Sequence, residues 1–243
     1  MKSKRQNSLP SSESSDKNQK DSENQELTFK KVCSAVTRGE KPSLYVATLK
    51  NQAISLTPKA SSRDTREKVL VLDLDHTLMC NFRSNETQIP GVACPIKVQG
   101  RMYMFTLVKR PGLEKFLYEV SKYYRLMIYT TSLEEYAISV LKALGILPLF
   151  EKIFHRDYCQ DLGDGVYMKN LKNIGEPLEN LVFVDDSMKQ VTANALNALP
   201  IVPFNGDLND KNLIKLIPFL VNIGEKADVR PVFQQYLKYC KVE

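Results

Sequence analysis

The sequence predicts an α/β fold with a mainly parallel central sheet. Two observations carry that expectation: near-continuous apolar runs at Val69–Leu74, Leu126–Tyr129 and Leu181–Val184, and stretches of helical periodicity between and after them. A parallel strand is buried on both faces and so reads as an unbroken apolar run, and each parallel partner needs a crossover that a helix can supply. The chain has 243 residues, 43% of them apolar, enough to build a sizeable core.

In chain order, residues 1–30 hold seven Ser, six Lys or Arg and five Asp or Glu, with only Met1, Leu9, Leu27 and Phe29 as large apolar side chains. That is too little apolar surface to offset the entropy of ordering, and a disordered tail is expected. In 31–66 the run Leu44–Leu49 is interrupted on either side by Pro42, Pro58 and the polar Ser61–Arg66, so 1–66 reads as tail and linker and 67–243 as the folded domain. After the first strand, Cys94–Gln99 and Met102–Val108, around Gly100-Arg101, read as a small β insert. Gly112–Ser121 and Leu133–Leu144, with apolar residues three and four apart, read as helices flanking the second strand, and Gly163-Asp164-Gly165 marks a turn. Ser187–Leu199 reads as a helix after the third strand, and Asp228–Cys240 as a closing amphipathic helix with Val232, Phe233, Tyr236, Leu237 and Cys240 on one side.

The formal charge of +6 would suggest a nucleic-acid or membrane partner if it were spread over the fold. It is not: residues through Arg66 carry thirteen basic and seven acidic side chains, and the remainder carries twenty-one of each. Direct nucleic-acid binding is therefore not expected. Five cysteines at irregular spacings, with no Cys-x-x-Cys pair, indicate neither a zinc site nor a disulfide framework, and a reducing compartment, nucleus or cytoplasm, is the expectation. Met1–Lys20 has no apolar segment of the secretory kind, and Leu213–Ile223 is short and broken by Lys215 and Pro218, so no membrane span is expected. A monomer is the simplest expectation for such a domain.

The chemistry concentrates where strands end. The run Val69–Leu72 leads directly into Asp73-Leu74-Asp75-His76-Thr77, and ligands of open α/β sheets bind at the carboxyl ends of the strands. Two carboxylates two residues apart share a face and repel unless a cation or a shared proton intervenes. Leu181–Val184 likewise ends in Asp185-Asp186-Ser187. Each site alone could be an Asx turn or an N-cap, but their coincidence favours Asp73, Asp75, Asp185 and Asp186 converging on one Mg²⁺, a hard cation that takes oxygen ligands. The Arg125–Tyr129 strand ends in Thr130-Thr131-Ser132 ahead of a helix, which reads as an anion cradle and also as an ordinary N-cap. Lys169, in Val166–Leu171, would on its own read as surface charge.

Together these residues resemble the haloacid dehalogenase superfamily of phosphotransferases, with Asp73–Thr77, Thr130, Lys169 and Asp185-Asp186 as its four motifs in the expected order. More narrowly, Lys109–Gly112, Tyr129–Ser132 with Tyr136, Phe154–Cys159, Tyr167–Leu171 and Ala227–Arg230 resemble the FCP/SCP-type phosphatases that act on the C-terminal domain of RNA polymerase II, the small CTD phosphatases and the dullard group among them. The likeness runs from about Lys68 to about Tyr239.

The resemblance implies a Rossmann-like three-layer fold without a large cap and a phosphoprotein phosphatase working through an aspartyl-phosphate. Asp73 would be the nucleophile and Asp75 the proton shuttle. Mg²⁺ would be held by Asp73, the main-chain carbonyl of Asp75 and Asp186, with Asp185 pairing with Lys169, and Thr130, Thr131 and Lys169 would hold the phosphoryl oxygens. Two departures stand out. Many small CTD phosphatases have Asp-Asn-Ser where this chain has Asp185-Asp186-Ser187, and an added negative charge should tighten metal binding; Asn170 replaces an acid common in relatives.

The intervals between motifs leave no room for a cap domain, so an open site flanked by a small β insert suits a phosphate displayed on a protein segment. Tyr136, Arg156, Tyr103 and Phe105 are the candidate docking residues, although aromatic residues at such positions are more often core. The competing readings are a scaffold member of the same fold, against which Asp73, Asp75, Lys169 and Asp185 speak, and a capless phosphatase acting on a non-polymerase substrate. Fold alone does not separate them.

Overall fold

Residues alternate across the buried runs, and the alternation builds two cores on one sheet. A computed structural model describes residues 67–84, 86–98, 100–190 and 196–239; the tail expected at 1–66 lies outside the described residues. In chain order the elements are β1 (Val69–Leu72), β2 (Met79–Arg83), β3 (Val92–Val98), β4 (Arg101–Lys109), α1 (Leu113–Val120), β5 (Arg125–Tyr129), α2 (Glu134–Ala143), β6 (Lys152–Phe154), β7 (Gln160–Asp161), β8 (Tyr167–Met168), β9 (Leu181–Asp185), β10 (Ala198–Pro200), α3 (Asn212–Gly224) and α4 (Arg230–Tyr239). Five of the ten described strands form a parallel sheet in the order β10-β9-β1-β5-β6, with Leu72 level with Ile128 on one side and Val184 on the other. This bears out the α/β fold with a central parallel sheet.

Leu70, Leu72, Leu126, Ile128, Val182 and Val184 point to one face, where they join Phe116, Val140, Leu220 and Phe233 from the four described α-helices. Val69, Val71, Met127, Tyr129, Leu181 and Phe183 point to the other, which packs on Leu171 and Ile174 of a short 3-10 helix. The layering is thus unequal, with α-helices on one side and tight turns on the other.

The insert after the first motif is a three-stranded antiparallel sheet, β2-β4-β3. Two of its strands match expectation; β2 is the strand that sequence reasoning did not find, because Asn81 and Arg83 break its apolar character. β3 packs on α2, which ties the insert to the main core through Cys94 and Ile96. Among the described residues, neither interval between motifs holds a cap domain.

One expectation is corrected. Ser187–Leu199 is not a single helix: Met188–Gln190 is a 3-10 turn, Ala198–Pro200 is strand β10, and 191–195 lie outside the described residues. Pro200 and Pro203 oppose a helical path, since the residue before a proline favours extended backbone, and Ala198–Pro200 instead pairs with β9. Among the described residues no helix is long and apolar enough to cross a membrane.

Candidate active site

Three neighbouring parallel strands, β9, β1 and β5, end together, and their ends supply Asp185, the last residue of β9, with Asp186 after it, Asp73-Leu74-Asp75 and Thr130-Thr131-Ser132. Strand order therefore does what spacing along the chain cannot: it gathers groups more than a hundred residues apart. The Asp73 N–H still donates to Val184 O at 3.0 Å, so Asp73 leaves the sheet at a defined point.

Beyond it the chain turns sharply. His76 has φ 60°, a left-handed conformation rare for a residue with a Cβ, and its N–H donates to Met79 O at 2.7 Å. Arg110 holds this turn. Its fully buried guanidinium donates to Thr77 O at 3.0 Å, to His76 O at 3.3 Å and to Val202 O at 2.7 Å, and forms a two-point pair with Asp210 at 2.9 Å on each oxygen. A planar five-donor group suits the task, because it can saturate several carbonyls at once.

Lys169 is also fully buried, and its Nζ donates to Asp73 Oδ1 at 2.6 Å and to Asp185 Oδ2 at 2.7 Å. Burial works against the ammonium, but Asp185 and Asp73 more than offset it and hold its pKa above the usual lysine range. The structure brings Asp73, Asp185 and Asp186 together, each offering an oxygen within 4.8 Å of the others. One ammonium among three carboxylates leaves a surplus of negative charge. Burial, with Asp73 adding to it, pushes Asp186 up to about 6 and raises Asp185 as well in spite of Lys169. That donor set fits a hard divalent cation. Asp185 has both oxygens engaged, Oδ2 by Lys169 and Oδ1 by the Ser187 N–H at 2.6 Å, and Asp186 Oδ1 accepts from the Thr77 hydroxyl at the longer distance of 3.5 Å.

Asp75 is set apart from this cluster. Its side chain takes no part in the three-carboxylate group; Oδ1 accepts from the Tyr136 hydroxyl at 2.6 Å and from Asn81 Nδ2 at 3.1 Å, and Oδ2 accepts from Ser132 Oγ at 2.9 Å. Burial, more than the charge of Asp73, lifts its pKa above the ordinary carboxylate range against the hydrogen bonds from Tyr136 and Ser132. Two carboxylates two residues apart thus occupy different surroundings.

The remaining sites lie around this pair. Thr130 is buried and its Oγ1 accepts from the Ser132 N–H at 3.1 Å. Helix α2 begins after Leu133 with no side-chain cap, so the hydroxyls of this loop are not spent on capping it. Thr131 is half-buried, and its carbonyl accepts from Arg156 Nε at 2.8 Å; the Arg156 guanidinium lies 4.8 Å from the Tyr167 ring centroid, where it braces the loop. Tyr136, a candidate docking ring, has its hydroxyl bound to Asp75 and its ring edge-on to Phe105, with centroids 6.1 Å apart. Phe105 in turn contacts the exposed Tyr103, at 6.3 Å. Arg83, Ser84, Met102, Tyr103, Met104 and Phe105 line a cleft of about 420 Å³ on the insert.

Sequence reasoning missed Asn81 and the links of Tyr136 and Ser132 to Asp75. Nothing local could have found Asn81, since an Asn on a short edge strand usually meets water; its role comes from α2 delivering Tyr136 beside it.

Residues 68–230 match the family described as NLI interacting factor-like phosphatase. The chain is 32% identical over 202 residues to CTD small phosphatase-like protein 2 of Dictyostelium discoideum, covering 81% of this chain and 35% of that protein. It is 30% identical over 200 residues to CTD nuclear envelope phosphatase 1B of Danio rerio, covering 78% and 81%. Among solved structures it is similar to Fcp1, an essential RNA polymerase II CTD phosphatase, with a TM-score of 0.49 and 20% identity over 82% of this chain and 64% of that one. The chain spans 35% to 60% of the length of the first three curated relatives it matches.

Proposed function

The chain belongs to the NLI interacting factor-like phosphatase family, and on that premise we propose that it is a Mg²⁺-dependent protein serine/threonine phosphatase working through an aspartyl-phosphate on Asp73. The observation that carries this reading is the division of labour at the strand ends. Asp73 shares a buried ammonium and two further carboxylates, while Asp75 sits two residues on in a cage of hydroxyl and amide donors.

In this reading Asp73 attacks the phosphorus through the oxygen that Lys169 does not hold, and the Ser or Thr oxygen departs with a proton from Asp75. Asp75 then takes a proton from the water that hydrolyses the acyl-phosphate, returning both residues to their starting forms. Lys169 restrains the Asp73 carboxylate, and with Thr130 and Thr131 it faces the phosphoryl oxygens as fixed donors that need no reorganisation as charge shifts. Mg²⁺, held by Asp73, the carbonyl of Asp75 and Asp186, would neutralise charge between nucleophile and phosphate. Asp185, committed to Lys169 and Ser187, supports the lysine.

The substrate we propose is a phosphoserine or phosphothreonine on an extended protein segment, such as the C-terminal domain of RNA polymerase II; several relatives are named as CTD or C-terminal domain phosphatases. The capless strand ends leave the phosphate site approachable, and the aromatic row from Phe105 to Tyr103 beside the insert cleft suits an apolar side chain next to the phosphoresidue.

The test is phosphate release from a phosphoserine heptad-repeat peptide, with and without Mg²⁺, beside a panel of small phosphometabolites, using Asp73→Asn as blank. Mg²⁺-dependent release from the peptide and little from the metabolites is the expected result. Release from neither, with the fold intact, favours a scaffold role.

A further inference from the structure

Asn81, Tyr136 and Asp75 close a ring of three hydrogen bonds. Asn81 Nδ2 lies 3.1 Å from Asp75 Oδ1 and 2.8 Å from the Tyr136 oxygen, and the Tyr136 oxygen lies 2.6 Å from the same Oδ1. The chemistry of the partners dictates the direction of each bond. A carboxylate only accepts, so the amide nitrogen and not its oxygen must face it. That nitrogen has two hydrogens and spends one on Oδ1 and the other on the phenol oxygen. Tyr136 accepts from Asn81 and has a single proton, which it gives to Asp75.

Oδ1 is therefore locked between two donors that cannot reverse. Oδ2 is different: its partner is Ser132 Oγ at 2.9 Å, a hydroxyl that can donate or, after rotating, accept. A proton carried by Asp75 must reside on Oδ2. The ring also restrains the carboxyl plane from two sides, one on the insert strand β2 and one on helix α2, which packs against β3 of the same insert.

We propose that Asn81 is a positioning residue for proton transfer: by fixing Tyr136 as a donor to Oδ1 it orients the Asp75 carboxyl so that Oδ2 alone exchanges the proton with the leaving oxygen. The proposal rests on the phosphatase reading above and assigns the enzyme to alkyl phosphates. In the first step the bond between Asp73 and phosphorus forms as the bond from phosphorus to the serine oxygen breaks. The electron pair stays on that oxygen, which takes the proton from Oδ2. An alkoxide is a poor leaving group and needs that proton, whereas a nitrophenolate leaves without one.

The full chain with Mg²⁺ is assayed on a phosphoserine peptide and on p-nitrophenyl phosphate, reading kcat/KM, which reports only through the first irreversible step. Asn81→Leu is expected to lower kcat/KM on the peptide about tenfold or more, within the range that a positioned acid contributes, and to leave the aryl phosphate within about threefold of the parent. Tyr136→Phe should lower kcat/KM on the peptide as well, and the double variant should lose no more there than the larger single loss, because one ring is broken in each case. Equal losses on both substrates, or no loss on the peptide, overturn the proposal. If Asn81→Leu fails to fold, Asn81→Ala, which removes the amide and adds no bulk, carries the same comparison. Asp73→Asn is run alongside: turnover by that variant, or none by the parent, fails the phosphatase reading itself, and the positioning role falls with it.

Discussion

The ammonium of Lys169 lies 2.6 Å from the Asp73 carboxylate, fully buried, with Asp185 2.7 Å away on its other side. The Asp73 carboxylate is thereby held by a charge that water cannot screen. The lysine takes only one of its oxygens, Oδ1.

Replacing that lysine by methionine keeps an unbranched side chain, one atom shorter, and removes the charge. Lys169→Met leaves Asp73 and Asp185 buried without compensation, so a loss of about 3 to 5 kcal/mol in unfolding free energy is expected, together with loss of phosphopeptide turnover. Urea denaturation of the variant beside the parent measures the first, and unchanged midpoints would show that the pair carries no net stability.

Asp75→Asn keeps the shape of the acid and denies it a proton to give. Turnover of a phosphoserine peptide should fall by about 10² to 10⁴, the span of general acid catalysis, with the domain still folded. A rate within a few-fold of the parent removes Asp75 from the proton-transfer role.

Metal and pH should act together through Asp186. Its pKa is raised to about 6 from an ordinary 3.8 by burial and by Asp73, so the metal-free native state binds more protons than the unfolded chain between those values. Stability from this group is present below pH 4 and lost as pH rises through about 6. Mg²⁺ needs the ionised form and reverses the trend. Thermal midpoints should rise by about 5 to 10 °C at a Mg²⁺ concentration a hundredfold above Kd at pH 7.5, and by less at pH 5. In Asp186→Asn that difference between the two pH values should flatten.

Arg110 and Asp210 pair away from the phosphate site yet hold the turn after Asp75. Burial alone would raise Asp210, but the hydrogen bonds from Arg110 and Asn212 win and hold its pKa below 3.8. The stabilisation is complete above pH 3.8 and fades as pH falls below it. Asp210→Asn should lower the urea midpoint at pH 7, by about 3 kcal/mol in free energy, and by progressively less as pH falls below 3.8. A constant difference across that range excludes the ion pair as the cause.

Particular residues show why some features are legible in the amino-acid sequence. Val69–Leu72, Leu126–Tyr129 and Leu181–Val184 announce buried strands because every position on them faces one of two cores. Asp73, Asp75, Asp185 and Asp186 stand out because carboxylates at the ends of such runs are costly unless something compensates for them. Local sequence is a poor guide at Ser187–Leu199, where strand pairing to β9 and two prolines override helical periodicity. It is a poor guide for Tyr136 as well: an aromatic residue at helical spacing suggests packing or docking, and its hydroxyl is bonded to an acid sixty-one residues earlier in the chain.

By itself the sequence determined the fold class and the acidic residues at the strand ends, because apolar periodicity and charges at the ends of buried runs are local properties. Only the tertiary structure decided which carboxylates pair with Lys169, that Asp186 joins their cluster, and that Asp75 is instead caged by Asn81, Tyr136 and Ser132. Those assignments depend on distances between residues far apart in the chain, and it is strand order and the packing of the insert on α2 that set them.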